Sequence, residues 1–216
     1  MIESDTRSLS DQAYDEVERM IISLELPPGT VFSESELAEQ INIGRTPLRE
    51  ALQRLARDML IVSLPRRGMM VTEINASEYL NLLDTRGVLD HLIASQAVRR
   101  ASPRQREALT ACADGIAEAT QAGDDEGFMR LDRSGDEILA AASRNPYASQ
   151  AAGSLHAHCR RFWSMYRHFG NLRESAELHS RILREVAAGH AEEAGKASAA
   201  LIAYLEAFAR RALDLE

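Results

Sequence analysis

Hydrophobic and polar positions along this chain change period after its first third, and the change marks two differently built parts. From Ser10 to Glu25, Ala13, Val17, Met20, Ile21 and Leu24 recur every three or four residues, which predicts an amphipathic helix capped by Ser10. Leu26-Pro27-Pro28-Gly29 ends it, and Thr30-Val31-Phe32 reads as a short strand packed behind the elements that follow. Ser33-Glu34-Ser35-Glu36 has the spacing of a capping box and opens a helix through about Gln40, with Leu37, Ala38 and Ile41 apolar. Ile41-Asn42-Ile43-Gly44 breaks the pattern, with Gly44 expected to take the tight turn conformation. Leu48, Leu52 and Leu55 then mark a further helix, for which Thr46 is the expected N-cap and Pro47 the first helical residue. Leu60–Leu64 and Met69–Thr72 are short apolar runs on either side of Pro65-Arg66-Arg67-Gly68, which predicts a β-hairpin with two arginines at its tip. Residues 1–9 are polar and expected to fray.

Beyond Asn75 every segment reads as helix: 76–101, 103–121, 124–143, 146–168, 171–188 and 190–214. Their breaks are Ser102-Pro103, Gly123-Asp124, Asn145-Pro146, Gly170-Asn171 and Gly189-His190, all of Gly, Pro or capping type. Glu73-Ile74-Asn75 forms a linker with Asn75 as a cap, short enough to predict mechanical coupling rather than loose tethering. The expected fold class is mainly α. An N-terminal winged helix-turn-helix with a small β-hairpin wing occupies residues 1–74, and an all-α antiparallel helical bundle occupies residues 75–216. A length of 216 residues accommodates both cores.

Charge sharpens the picture. The chain carries a net −8, which argues against indiscriminate binding of polyanions, yet residues 45–67 hold six arginines against Glu50 and Asp58, a local +4. Arg45 and Arg49 lie one turn apart at the opening end of their helix, beside free backbone N–H groups and the positive dipole end. Such an end suits phosphates and guanine edges. A surface helix with solvated arginines is the plainer alternative; it explains the helix but not the capped helix before it or the hairpin after it. Cys112 and Cys159 have no paired spacing, so they read as buried thiols in a reduced compartment. No apolar run reaches the ~18 residues of a membrane span, and the expected location is cytoplasmic with no membrane partner.

At Ser33-Glu34-Ser35-Glu36-Leu37-Ala38, Gly44-Arg45-Thr46-Pro47-Leu48-Arg49-Glu50-Ala51-Leu52 and Arg66-Arg67-Gly68, the chain resembles the GntR family of bacterial winged-helix transcription regulators. The resemblance implies that Arg45, Thr46 and Arg49 contact DNA from the recognition helix, and that the wing tip of Arg66, Arg67 and Gly68 lies in or beside the minor groove. Met59 departs from the family, which often has glycine there, and is expected to alter the local turn.

The helical part is similar to the FCD-type effector domain of the family's FadR branch, on the landmarks Arg86 with Asp90, Leu131-Asp132, Arg144-Asn145-Pro146 and His179 followed by Ile182-Leu183. That resemblance implies a divalent metal, zinc or similar, which together with an arginine binds a small carboxylate effector. Asp132 and His179 match two of the family's four metal ligands, whereas Asp136 and Leu201 stand where the other two are usually histidine. Asp132, Asp136 and His179 are therefore a degenerate candidate metal site. The alternative is a decayed site with Asp136 exposed to solvent and Arg86 paired with Asp132 or Asp90. His156, Arg160 and Trp163 share a stripe and offer a second way to line a pocket, with Arg160 taking a carboxylate. Candidate effector-binding residues are thus Arg86, Asp132, His156, Arg160 and His179.

The expected function is a ligand-responsive regulator, a repressor in sense, binding a pseudo-palindromic double-stranded DNA operator as a homodimer. A metal-sensing repressor without an organic effector is the alternative. An enzyme is not expected: no nucleophile elbow, P-loop or HExxH pattern occurs.

Overall fold

The computed structural model describes residues 8–214, the side chains of 76 and 77 excepted. The expected frayed stretch over residues 1–9 lies outside the described residues apart from Ser8 and Leu9, which already cap and open the first helix. Contacts divide the chain into two units: one reaches to Ile74 and includes Ala157–Met165, and the other comprises Asn75–His156 and the residues from Tyr166 onward.

In the first unit, helix α1 spans Leu9–Ile22 rather than beginning at Ser10 and reaching Glu25. Ser8 accepts from the Asp11 N–H as N-cap, and the chain turns at Leu24, whose φ of 63° cannot continue a helix. Strand β1 (Val31–Phe32) leads into α2 (Glu34–Gln40), whose capping box is complete: Ser33 accepts from the Glu36 N–H while Glu36 reaches back to the Ser33 N–H. Between α2 and α3 (Arg45–Arg57) the left-handed residue is Asn42, at φ 52°, and not Gly44, which is extended at φ −61° and ψ 153°. Asn tolerates this region because its short polar side chain bonds locally.

Gly44 is instead the N-cap of α3, its carbonyl accepting from the Leu48 N–H. Thr46 is consequently inside the helix, and Pro47 stands third, where its missing N–H is still one of the unpaired first-turn donors. Leu48, Ala51, Leu52 and Leu55 bury one face of α3 against Val17, Met20 and Ile21 of α1 and Leu37 of α2. Each buried leucine contributes roughly 1.5–3 kcal/mol relative to exposure.

Strands β2 (Ile61–Leu64) and β3 (Gly68–Val71) form the hairpin, and β1 joins it on the far side of β3. The sheet is antiparallel with order β1-β3-β2, Val31 opposite Met70 and Ile61 opposite Val71. The short strand expected behind the helices is thus an edge of the wing's own sheet. Gly68 has φ 95°, and a side chain there would run into the Phe32 carbonyl, so the β1–β3 approach depends on its lacking one. Met59 stands at a left-handed φ of 60°, a conformation that glycine takes most readily. A side chain in this conformation costs roughly 1–2 kcal/mol of backbone free energy.

The second unit is helical throughout its described residues. It contains α4 (Ala76–Arg100), α5 (Pro103–Ala122), α6 (Asp125–Ser143), α8 (Leu172–Ala188) and α9 (Ala191–Ala212), with the Pro146–His156 portion of α7 (Pro146–Tyr166). A short 3-10 turn, Arg167–Phe169, follows α7. Asn75, Ser102, Asp124, Asn145 and Asn171 cap their helices by side-chain hydrogen bonds, and Gly123 and Gly189 close α5 and α8 in the left-handed conformation. Helix α5 packs on α6 and α8, and α4 packs on α6 and α9. Arg106 ties the bundle together, donating to the Val98, Val186 and Ala187 carbonyls. Cys112 and Cys159 are buried free thiols. Burial first, then Asp132 and Asp136, pushes the Cys112 thiol up to about 11, and it donates to the Leu131 carbonyl.

Candidate functional site

Two places carry chemistry, one in each unit. In the first, the buried face of α3 forces its other face outward: Arg45, Thr46 and Arg49 are exposed, as are Arg66 and Arg67 on the hairpin, while Gly68 is half-buried. Arg66 stands at φ 63° in the turn that carries the hairpin tip. Not every arginine of the basic stretch is available. Arg54 donates to Asp11 at 2.7 Å and lies over the Tyr14 ring at 4.3 Å, so it belongs to the packing of α1 on α3.

Arg49 is also held. Its Nε and Nη2 donate to Glu34 Oε2 at 3.1 and 2.9 Å, although its side chain is 62% exposed. Fifteen residues separate the pair, and no local spacing in the sequence announces it. Two further residues escaped the sequence reading. His158 Nε2 donates to the Asp58 carbonyl at 2.9 Å, at the C-cap of α3. Arg161 donates to the carbonyl and hydroxyl of Thr72, directly after β3. Burial, opposed by the Asp58 contact, lowers the His158 pKa.

In the second unit a cavity of about 30 Å³, room for one or two waters, is lined by Arg86, Asp90, Asp132, Asp136, His156 and His179 among apolar side chains. The expected residues Arg86, Asp132, His156 and His179 are therefore brought together, but Arg160 is not. Arg160 and Trp163 are buried one and two turns farther along α7, in the stretch that groups with the first unit, because a shared stripe on a helix advances about 6 Å per four residues.

Charges in the cavity are paired in a definite order. Arg86 Nε donates to Asp90 Oδ2 at 2.8 Å; His156 places Nε2 on Asp90 Oδ1 at 2.7 Å and Nδ1 on Asp136 Oδ2 at 3.1 Å. His179 Nε2 faces Asp132 Oδ1 at 3.2 Å, and its Nδ1 donates to the Ser175 carbonyl. Burial disfavours the charged imidazole of His156, but Asp136 and Asp90 outweigh it and lift the pKa to about 9. Burial likewise pushes the Asp90 carboxyl up, and His156 with Arg86 overcomes it and holds the group below its ordinary value.

These residues do not fit the divalent metal that the degenerate set implied. Asp132, Asp136 and His179 are not gathered on one point, since Asp136 turns to His156 and His179 to Asp132. Among the described residues no three His, Cys, Asp or Glu side chains are arranged to hold an ion. Leu201 lines the same cavity with an apolar side chain that offers no donor. Asp136 is largely covered rather than exposed, and Arg86 has taken Asp90, one of the two partners open to it.

An outward arginine-bearing helix tip, braced by a capped helix and a three-stranded wing, defines a winged helix-turn-helix protein joined to a helical domain with a small cavity in which charged side chains meet apolar walls. Residues 81–204 match the FCD domain model and residues 9–71 match that of bacterial regulatory proteins of the gntR family, and the chain belongs to the GntR family of transcriptional regulators carrying an FCD domain. The chain is 33% identical to the HTH-type transcriptional repressor RspR of Escherichia coli (strain K12), over 43% of this chain and 40% of that one. It is also 33% identical to the fatty acid metabolism regulator protein of Escherichia fergusonii, over 56% of each. The match thus spans well under two thirds of these curated relatives. The solved structure described as E. coli McbR/YncC shares the fold, with a TM-score of 0.80 at 21% identity, covering 92% of this chain and 95% of that one. These relatives are regulators and not enzymes. No helix among the described residues is long and apolar enough to cross a membrane.

Proposed function

We propose that this chain is a cytoplasmic DNA-binding repressor of the FadR branch, acting as a homodimer on a pseudo-palindromic operator and released by a small carboxylate metabolite. The observation that carries the DNA reading is the exposed tip of α3: Arg45, Thr46 and Arg49 project from a helix whose opposite face is buried. In this reading Arg45 and Arg49 enter the major groove, where a guanidinium fork matches the guanine O6/N7 edge, and Arg66, Arg67 and the backbone at Gly68 follow the minor groove or phosphates.

Support for the effector reading comes from the cavity, where Arg86 and His156 place positive charge among apolar walls. A space of about 30 Å³ is too small for a carboxylate of several heavy atoms, so uptake requires the lining to open. A ligand that binds only the opened arrangement shifts the population toward it, and this differential affinity is what a regulator needs. On α7, His156 lines the cavity, and His158 and Arg161 hydrogen-bond to the Asp58 carbonyl and to Thr72.

Fluorescence anisotropy with duplex from upstream of the chain's own gene, run across a salt series and a panel of small carboxylates, tests the reading. The expected result is salt-sensitive affinity that a subset of carboxylates weakens. Affinity indistinguishable from that for scrambled duplex would overturn the DNA reading, and indifference to every carboxylate in both anisotropy and thermal shift would overturn the effector reading.

A further inference from the structure

We propose that Ala157–Met165 of α7 is an added helix of the first unit, in which Arg161 is a positioning residue that fixes the pose of the wing beside α3. Its purpose rests on the DNA reading above, whereas its geometry does not. Contacts group this stretch with the residues up to Ile74, and the fully buried Ala157 lies in one hydrophobic cluster with the leucines of α3. Apolar packing of this kind brings a helix close without fixing its direction. Hydrogen bonds do fix it.

Two α7 side chains, one turn apart, meet the two roots of the wing. His158 donates to the carbonyl of Asp58, just ahead of β2, and Arg161 donates to the carbonyl and hydroxyl of Thr72, directly after β3, at 2.9 and 3.1 Å. Thr72 passes the hold across the corner. Its hydroxyl donates to the Met59 carbonyl at 2.8 Å, in the turn where Met59 takes its left-handed φ, and its N–H donates to the Leu60 carbonyl at 3.1 Å. Tyr14 of α1 grips Asp58 from another side, its hydroxyl donating to the carboxylate at 2.9 Å. Arg161 is 3% exposed, and burying a guanidinium is costly where an apolar side chain fills the same space more cheaply. It nevertheless directs its bonds to Thr72, and its buried Nε has no partner among the described residues. What the guanidinium supplies at this corner is aim rather than stability.

Hydrogen exchange of the full chain, read amide by amide by NMR, and fluorescence anisotropy on the upstream duplex test the proposal together. Arg161→Met, which keeps the length but cannot donate, should speed exchange at Met59, Leu60 and Thr72 roughly tenfold or more, while Val17 and Leu52 stay within about twofold of their values. It should weaken duplex binding roughly 3- to 10-fold, and much less when Arg66 and Arg67 are already alanine. Arg161→Lys, which returns a donor, should recover part of both. Should Arg161→Met fail to fold, Thr72→Val, which removes only the hydroxyl, should give the same pattern at smaller size. Unchanged exchange at the corner, acceleration spread evenly over α1 and α3, or a binding loss equal with and without the wing arginines would each overturn the proposal. Affinity of the unaltered chain no better than for scrambled duplex would remove the DNA reading instead, and exchange alone would then decide whether α7 holds the wing.

Discussion

Replacing Glu34 by glutamine removes the carboxylate that holds Arg49 before any duplex arrives. The pair joins two guanidinium N–H groups to one oxygen, at 3.1 and 2.9 Å, with the Arg49 side chain 62% and the Glu34 side chain 34% exposed. Exposed pairs of this kind contribute about 0.2–1 kcal/mol, and that sum is lost each time Arg49 leaves for a base or phosphate. Without it, operator affinity should rise roughly 1.5- to 5-fold, by the ordinary conversion between free energy and equilibrium constant. Loss of a negative charge beside the phosphates acts in the same direction. The gain should shrink as salt is added, because an exposed pair is screened at a Debye length of about 8 Å. Fold stability should fall slightly, since Glu34 also complements the N-terminal dipole of α2. The assay is fluorescence anisotropy on the upstream duplex, run as a double-mutant cycle with Arg49→Ala. Weaker binding by Glu34→Gln, or an equal gain when Arg49 is already alanine, would refute competition between Glu34 and the duplex for Arg49.

Three further outcomes are expected. Gly68→Ala should lower unfolding stability by at least about 2 kcal/mol in urea, combining a left-handed backbone penalty with the collision against the Phe32 carbonyl; an unchanged midpoint would refute the role given to that contact. Leu48→Ala, at a fully buried position, should cost about 2–5 kcal/mol by the same measurement, and a value under 1 would show that α3 is not anchored there. His158 faces the Asp58 carbonyl with Arg161 near it, and its folded pKa lies below the unfolded value of about 6.5. The unfolded chain therefore takes up a proton first, so this contribution is complete above about pH 6.5 and is lost as the pH falls toward the folded value. His158→Gln should flatten that acid-side loss relative to the unaltered protein; identical pH profiles would contradict it.

What the sequence discloses here is what depends on neighbours along the chain. The Ser33/Glu36 box, the leucines of α3, the hairpin and the helix breaks after Asn75 all obey spacings of two to four residues, and the elements they predict are present. At two places local rules compete. Thr46 before Pro47 looks like a cap because a residue preceding proline avoids the helical region, yet Gly44 caps α3 and the proline is tolerated inside the first turn. Gly44 and Asn42 both suit a turn, and only the path of the chain decides that Asn42 takes the positive φ. Contacts between distant residues left no trace of this kind. Arg86 and Asp90 share a helix four residues apart, a spacing that pairs them directly, whereas His156 meets Asp136 from a different helix, and the sequence does not distinguish that pairing from the stripe with Arg160.

One edge of the wing sheet bears on how an operator can be built. The hairpin is stitched along β3 to Val31 and Phe32, with the Gly29 N–H on the Val71 carbonyl and the Val71 N–H on the Thr30 carbonyl. Its tip cannot be re-aimed by a hinge of its own; it travels with α1, α2 and α3 as one solid. If α3 and the Arg66–Arg67 tip contact DNA as proposed, a base pair inserted between the two stretches they touch would displace one from the other by about 3.4 Å along the duplex. No pliant joint is on hand to absorb that offset, so spacing within each half-site should be as unforgiving as the identity of its bases.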